Sequence, residues 1–341
     1  MRHNAFSPYF LAMSDPRAIP ALHRPVRDWV LKAFPRDRGN GVDYLHPQGD
    51  PGLFGPDSVT WRIHADFPGM LSGGLCALML QTLHPRALAA VWDHSNFRAD
   101  LVGRLRRTTT FVGGTTYAPR EAALQMIERV RRIHAGIAGH TEDGLPYAAD
   151  DPHLLTWVHV TEAYAFLQGF RRYARVTVTT STADAYYDEV RRIAEALGAQ
   201  QVPTSEAAVL DYMRRMRPEL RFDARSREVL RVLGGIRLPV PAAGLSRELF
   251  LHAGAALLPP WAQELMQRSG AQRLKAHVAA STLHAMAPVF RSALRDGVAS
   301  QSCRRMGRSP ESLSTFPASP ESSAFYVDRD RSDNGNVRST R

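Results

Sequence analysis

A histidine lies on the apolar face of a segment that is predicted to be helical. Ala123, Ile127, Val130, His134 and Ile137 follow one another at intervals of four, three, four and three residues. In a helix these residues share one face, and that face is predicted to be buried. A histidine on a buried face needs a hydrogen-bonding group or a metal ion for its ring nitrogens. The spacing alone leaves both open, and a core histidine bonded to a carbonyl is the commoner case.

A second polar position points inward on a later segment. Leu155, His159, Glu162 and Phe166 share one face of another predicted helix. A histidine and a glutamate one turn apart on an apolar face predict a polar pocket inside a helical bundle. A carboxylate-bridged di-iron centre would need two Glu-x-x-His pairs and two further glutamates. The order here is His-x-x-Glu and we find no partner pair, so that centre is a weak alternative.

Three residues on the segment before His134 could act on a ligand beside it. Arg104, Arg107 and Thr108 fall on one side of a predicted helix, whereas Arg106 points elsewhere. A solvated arginine face is the simpler interpretation of this pattern. Next to a buried histidine, however, a threonine one turn from an arginine would suit a pocket for dioxygen or for a carboxylate.

Charge and cysteine content argue against several classes of protein. The 341-residue chain has a formal net charge of +10, and nearly all of its basic residues are arginines. No aromatic residues alternate with the arginines and no helix-turn-helix or zinc-finger spacing occurs, so nucleic-acid binding is not expected. Cys76 and Cys303 are too few and too far apart for a disulfide framework or a cysteine zinc site. This use of cysteine fits a reducing cytosol.

The elements that must position these residues are helices. No run of alternating strands and no internal repeat occurs, which predicts an all-α fold with a single domain. We expect residues 1–45 to be an N-terminal extension and residues 46–295 to form the domain. Gly113-Gly114 is expected to separate two helices, and His84-Pro85 is expected to kink or restart one. Residues 296–341 are rich in Ser, Arg, Asp, Gly and Pro, so we expect them to be a disordered tail.

Two apolar stretches bear on the location of the protein. Phe67–Leu83 and Leu249–Leu258 are shorter than the roughly 18 apolar residues that a spanning helix requires, so they are expected to be core helices or helices that touch a lipid surface. The first residues do not form the pattern of a signal peptide. A cytoplasmic protein is the resulting expectation.

A set of short motifs resembles the mpaB oxygenase family, in its bacterial branch. Each motif is weak by itself, but the combination is specific and covers about residues 48–270. The family includes the rubber oxygenase called latex-clearing protein and a fungal enzyme that cleaves a farnesyl chain. The motifs are Asp50-Pro51-Gly52-Leu53-Phe54-Gly55, Ser58-Val59-Thr60-Trp61-Arg62, Leu83-His84-Pro85, Phe97-Arg98-Ala99-Asp100, Arg104-x-x-Arg107-Thr108, Arg132-Ile133-His134-Ala135 and Asp151-Pro152-His153-Leu154-Leu155-x-Trp157-Val158-His159.

This resemblance implies an all-α fold with a globin-like core around one haem b. It implies that His134 is the proximal ligand of the haem iron. It also places Arg104, Arg107 and Thr108 near the haem, on the side of oxygen or substrate, although position 107 is lysine in the rubber oxygenase and arginine here. A Trp-His pair of the rubber oxygenase corresponds, with an offset of one residue, to Trp157-Val158-His159. His159 is therefore expected to line the cofactor pocket.

The activity implied by the resemblance is that of a haem-dependent oxygenase. Such an oxidoreductase would use dioxygen on a small lipophilic substrate such as an alkene, a terpenoid or a lipid. An electron donor and peripheral contact with a membrane are compatible with that activity. The rubber enzyme is secreted and this sequence shows no export signal, so polyisoprene itself is not the expected substrate. A haem-binding sensor or carrier without turnover would share the same haem residues, and the sequence leaves this alternative open.

Overall fold

The computed structural model describes residues 27–28, 42–235, 243–294 and 296–316. These residues are mostly helical, which confirms the predicted all-α class with a single domain. One antiparallel hairpin, β1 (Ala138–His140) and β2 (Pro146–Ala148), interrupts the helices. The helices are α1 (Val59–His64), α2 (Phe67–Gln81), α3 (Pro85–His94), α4 (Leu101–Tyr117), α5 (Arg120–Ala135), α6 (Pro152–Tyr173), α7 (Thr180–Leu197), α8 (Glu206–Met216), α9 (Ala224–Gly234), α10 (Ala243–Ala255), α11 (Pro260–Leu265), α12 (Gly270–Ala293) and α13 (Val298–Arg305), with short 3-10 turns at Arg217–Glu219 and Pro310–Ser314.

Helix α2 lies at the centre of the fold and packs on α6 and α10. A Cβ atom on Gly169 of α6 would collide with the carbonyl oxygen of Gly69 in α2. One turn further along α2, a Cβ on Gly73 would lie 2.7 Å from the carbonyl oxygen of Ala165, and a Cβ on Gly254 of α10 would lie 2.8 Å from a carbonyl oxygen of α2. The backbones are therefore in direct contact, which only glycine permits at these positions.

A buried carboxylate holds the start of α1. The side chain of Glu189 in α7 accepts hydrogen bonds from the backbone N–H groups of Val59 and Thr60, at 3.1 and 2.8 Å, and from the Thr60 hydroxyl at 2.6 Å. Ser58 caps the same helix by accepting from the backbone N–H of Trp61. These bonds satisfy the free donors of the first turn and place a negative charge at the positive end of the helix. Helix α1 is thereby fixed to α7.

Two helix boundaries expected from glycine and proline have different outcomes. The predicted break at Gly113-Gly114 is wrong, because α4 continues through both glycines to its end. A Cβ on Gly114 would collide with the Sδ atom of Met126 in α5. That glycine therefore permits close packing of two helices and does not end one. The predicted break at His84-Pro85 is confirmed, since α2 and α3 lie on either side of it.

The first part of the predicted tail is ordered. Arg305 in α13 is 1% exposed and donates hydrogen bonds to the backbone carbonyls of Tyr44, Asp50 and Tyr117 at 2.7 to 3.0 Å. The neighbouring Cys303 is fully buried. The prediction that the disordered tail begins at residue 296 is therefore corrected for residues 296–316. The composition of residues 296–316 gives no indication that Arg305 is buried.

Other parts of the predicted termini lie outside the described residues. These parts are residues 317–341 and most of residues 1–45. The two apolar stretches considered above are core helices, since much of α2 is buried and α10 packs on it. Within the described ranges, none of the helices combines the length and hydropathy needed to cross a bilayer.

Replacing Arg305 by alanine should lower the free energy of unfolding by about 3 kcal/mol. Three buried carbonyl oxygens would lose their donor, and unsatisfied buried groups are costly. Arg304 is the matched control, because it is half exposed and forms a surface ion pair with Asp296 at 3.0 Å. Arg304→Ala should cost about 1 kcal/mol or less. Chemical denaturation of both variants measures the difference, and equal losses would contradict the role assigned to Arg305.

Candidate active site

The interior of the fold contains a histidine that bonds to two other helices. His64 is the last residue of α1. Its Nδ1 lies 2.8 Å from the hydroxyl of Thr116 in α4, and its Nε2 lies 3.0 Å from the hydroxyl of Tyr186 in α7. The Thr116 hydroxyl donates its own proton to the carbonyl of Val112 at 2.7 Å, so it accepts from Nδ1–H. Nε2 then accepts the proton of Tyr186. Burial lowers the pKa of His64 to about 3, which keeps this tautomer neutral.

Two further polar side chains face the interior from α6. His159 and Glu162 are enclosed by the fold, yet each keeps part of its surface accessible, so they border an internal space. Within the described residues neither side chain makes a hydrogen bond or an ion pair. Burial lowers the pKa of His159 to about 4 and raises the pKa of Glu162 to about 7. At neutral pH the imidazole is uncharged and the carboxyl group exchanges a proton readily.

These groups belong to one cluster. His159 is close enough to His64 to lower its pKa, and Glu162 contributes to the raised pKa of Tyr186. The ring of Phe166, one turn beyond Glu162, stands edge-on to His64 with a centroid distance of 5.4 Å. We refer to the set brought together by α1, α4, α6 and α7 as the interior polar cluster, which consists of His64, Thr116, His159, Glu162 and Tyr186.

His134 occupies the last turn of α5. The predicted buried face of this helix is confirmed for Ala123 and Ile127, whereas His134 itself is only half-buried. Burial lowers the pKa of His134, and the charge of Asp150 opposes this effect. The Nδ1 atom is buried and has no hydrogen-bond partner. This atom is therefore one of the few buried polar groups in the described chain that the fold leaves unsatisfied.

Helices α4 and α5 follow one another with only two residues between them, and Gly114 of α4 faces Met126 of α5. Both helices extend away from this contact, α4 towards Arg104 at its start and α5 towards His134 at its end.

Of the three predicted residues on α4, only Arg104 is substantially enclosed. Burial lowers the pKa of Arg104, the nearby Arg107 adds to the effect, and its Nη1 donates to the hydroxyl of Ser95 at 2.9 Å. It has no carboxylate partner in the described residues. Arg107 and Thr108 are exposed: Arg107 pairs with Asp100 at 3.5 Å, and the Thr108 hydroxyl donates to the carbonyl of Arg104 at 3.3 Å. Along α4, exposure is therefore greatest at residues 107–109, and burial increases towards both ends of the helix.

The unsatisfied groups have the chemistry that haem b requires. An iron ligand, apolar walls and a cation for the propionates are the usual features of a haem pocket. Burial lowers the pKa of His134 and of His159, and in the part of the chain that the structure describes neither imidazole has a hydrogen-bond partner and the partly buried Arg104 has no carboxylate. A Cβ on Gly113 would meet nothing within 4 Å, so open space adjoins the middle of α4. The residues present therefore fit this cofactor.

Sequence reasoning did not find three members of the interior polar cluster. Thr116 and Tyr186 lie 52 and 122 residues from His64, and no spacing rule connects positions so far apart. The available signal was His64 itself, a histidine at the end of a short helix that includes the buried Trp61 and Ile63. By contrast, His159 and Glu162 were accessible to sequence reasoning, because both lie on the periodic inner face of a single helix.

Replacing Glu162 by glutamine should flatten the pH dependence of stability in the haem-free protein. The pKa of Glu162 is raised in the folded state from 4.5 to about 7. Its stabilising contribution is therefore complete below pH 4.5 and is lost as the pH rises through 7. The wild type should lose up to about 3 kcal/mol more than Glu162→Gln between pH 4.5 and 8.

Denaturant titrations at four pH values between 4.5 and 8 measure this difference. The control is Glu121→Gln, which changes an exposed glutamate in the first turn of α5. That variant should follow the wild-type profile. Parallel profiles for the wild type and Glu162→Gln would mean that water solvates the carboxylate freely and that its pKa is ordinary.

Comparison with known proteins supports the resemblance found in the motifs. A family model described as "ER-bound oxygenase mpaB/B'/Rubber oxygenase, catalytic domain" matches residues 61–292. The matched range begins in α1 and ends in α12, so it contains the interior polar cluster as well as Arg104, Thr108 and His134. No curated protein and no solved structure gives a significant match. Because the family model covers well over half of the chain, the protein belongs to the mpaB/rubber oxygenase family of oxygenase catalytic domains.

Proposed function

We propose that this protein is a haem-b-dependent oxygenase that uses dioxygen on a small lipophilic substrate, with His134 as the axial ligand of the iron. The observation that carries the proposal is the buried Nδ1 of His134, which has no hydrogen-bond partner among the described residues, in a chain of an oxygenase family. Its lowered pKa supports the assignment, because a neutral imidazole at pH 7 offers a lone pair without competition from a proton.

Two other residues would hold the cofactor, the cationic Arg104 and the interior His159. Arg104 is suited to pair with a propionate, since charge-assisted bonds between arginine and carboxylate are strong and directional. His159 would line the pocket from α6. When bound, haem b supplies the redox chemistry of dioxygen, and the protein sets its ligand, its polarity and access to it.

The interior polar cluster would manage protons and orientation. Glu162, with a pKa of about 7, can take up or release a proton at its carboxyl oxygen near physiological pH. His64 is held between two hydroxyl groups, which keeps the Tyr186 hydroxyl directed at Nε2. Phe166 and the apolar residues of α2 and α6 exclude water around these groups. Such an interior favours an alkene or a terpenoid over a polar substrate.

The ligand assignment is tested by replacing each histidine with alanine. His134→Ala should lose haem or its axial-ligand spectrum, because no other group would replace the missing bond. His159→Ala should keep the wild-type haem content and spectrum but turn over more slowly. His140, exposed in β1, is the control, and its alanine variant should retain both properties. Haem content, the ultraviolet–visible spectrum and helicity are measured for all the variants. An intact axial spectrum in His134→Ala, together with its loss in His159→Ala, would transfer the ligand role to His159.

The oxygenase role is tested with a pair of adjacent threonines. Thr108→Val should preserve haem content and reduce turnover about ten- to a hundredfold, which corresponds to one hydrogen bond to a charged group of about 1.5–3 kcal/mol. Thr109→Val is the control, since Thr109 is also exposed and donates to the carbonyl of Leu105 at 2.8 Å. The assay supplies a reductant, labelled dioxygen and a panel of alkenes and terpenoids.

Two outcomes would overturn this part of the proposal. If the wild type binds haem but incorporates no label into any substrate, the protein is a haem carrier or sensor. If Thr108→Val loses haem together with activity, the hydroxyl supports the structure and not the reaction.

A further inference from the structure

A second group of potential ligands lies away from the interior polar cluster. His84 precedes the first residue of α3, His153 lies in the first turn of α6, and Glu219 ends the 3-10 turn after α8. The nearest ring nitrogens and carboxylate oxygen of the three side chains all lie within 4.8 Å of one another. Three separate segments of the chain thus present two imidazoles and one carboxylate at one point.

The distances fit a bound ion. The Oε2 atom of Glu219 lies 3.0 Å from Nε2 of His153 and 3.6 Å from Nε2 of His84. Around a tetrahedral zinc ion with ligand bonds of about 2.0–2.2 Å, neighbouring ligand atoms lie about 3.3–3.5 Å apart. The observed distances bracket this value. Small movements of the side chains would therefore suffice to coordinate an ion.

Among the three side chains, His84 is the one whose burial is not explained by a hydrogen-bond network. Its side chain is 1% exposed, and both ring nitrogens are buried without a hydrogen-bond partner. The ring packs near Trp157 and His153, with centroid distances of 6.0 Å to each. A buried polar side chain that is aimed at two other ligands without satisfying any bond is typical of a metal site without its ion.

The charge around the site favours a cation. Arg86 lies 3.7 Å from Glu219, which opposes the binding of a positive ion, but it also pairs with Asp151 at 3.2 Å. One arginine and two carboxylates leave one negative charge beside the two histidines. His153 and Glu219 are 39% and 42% exposed, so an ion can enter from solvent and keep a water molecule as its fourth ligand.

The segments that carry the ligands are fixed without an ion. The backbone N–H of Arg221 donates to the carbonyl of Leu83 at 2.8 Å, and the hydroxyl of Ser226 donates to the carbonyl of Thr82 at 2.8 Å. These bonds join the chain after Glu219 to the corner that contains His84. The ligands are thus positioned in advance by the fold.

We propose that His84, His153 and Glu219 form a site for a divalent first-row transition metal, with Zn²⁺ as the ion that suits it best. Two imidazoles and a carboxylate with an open position are a common zinc ligand set, whereas Mg²⁺ and Ca²⁺ prefer oxygen ligands alone. The ion joins the start of α3, the start of α6 and the turn after α8. This site is independent of the haem site and of the proposed oxygenase activity.

The test titrates Zn²⁺ into untagged, haem-loaded protein after treatment with a chelator. Calorimetry should show one ion per chain, and elemental analysis after gel filtration should give the same ratio. His153→Ala and Glu219→Gln should each weaken binding by more than ~10–100-fold, the loss caused by removing even a group outside the ligand set. These variants change exposed ligands, so the test does not depend on replacing the buried His84.

The matched controls are His140→Ala and Glu142→Gln, which remove an exposed histidine and an exposed glutamate in the β1–β2 hairpin. Both should bind Zn²⁺ like the wild type. X-ray absorption at the zinc edge should show two imidazole ligands and oxygen. The proposal is rejected if the wild type binds no Zn²⁺, or if His153→Ala and Glu219→Gln bind it as tightly as the wild type. The three side chains would then be a water-filled hydrogen-bond cluster.

Discussion

The direct contact between the backbones of α2 and α6 is the constraint on which the site depends. Gly69 and Gly169 meet with no room for a side chain, and Gly73 repeats the contact one turn further on. At this separation the flanking side chains of both helices interdigitate closely. Glu162 lies two turns before Gly169 on the same helix. A methyl group at the contact would push α6 away from the core and would move Glu162 with it. The glycines are thus conditions for the geometry of the interior.

Polar side chains in the interior of the protein cost free energy, and packing alone does not explain why they are there. His64 has a partner for each ring nitrogen, so its burial is compensated. Within the described residues His159 and Glu162 have no such partner, and burial shifts the pKa of each group so that its neutral form is favoured. A core selected only for stability would replace both with apolar residues. Their retention on the inner face of α6 is the physical reason to regard this interior as a site, and it agrees with membership of an oxygenase family.

Local signals in the sequence were sufficient for the helices but not for their contacts. Asp100 and Ser205 both cap a helix in the structure, and their residue types favour that position in a sequence. The expected break at Gly113-Gly114 was wrong, because a glycine pair is equally compatible with a loop and with two closely packed helices. The burial of Arg305 was equally difficult to predict, since the sequence does not distinguish one buried arginine from many exposed ones. Such features depend on groups that are distant in sequence, and a single sequence does not encode them as periodicity.

Helix α6 carries residues of both proposed sites. His153 lies in its first turn, and His159 lies less than two turns further along, on a different face. The first turn is held by Asp151, whose side chain accepts from the backbone N–H of His153 and also pairs with Arg86. The bonds of Asp151 therefore also fix the rotation of the helix about its axis, because a helix is stiff over such a distance. His159 and Glu162 lie on the same helix, so a rotation of α6 about its axis would turn both side chains together. The group of His84, His153 and Glu219 and the interior polar cluster therefore share one stiff helix, although the two proposals do not depend on each other.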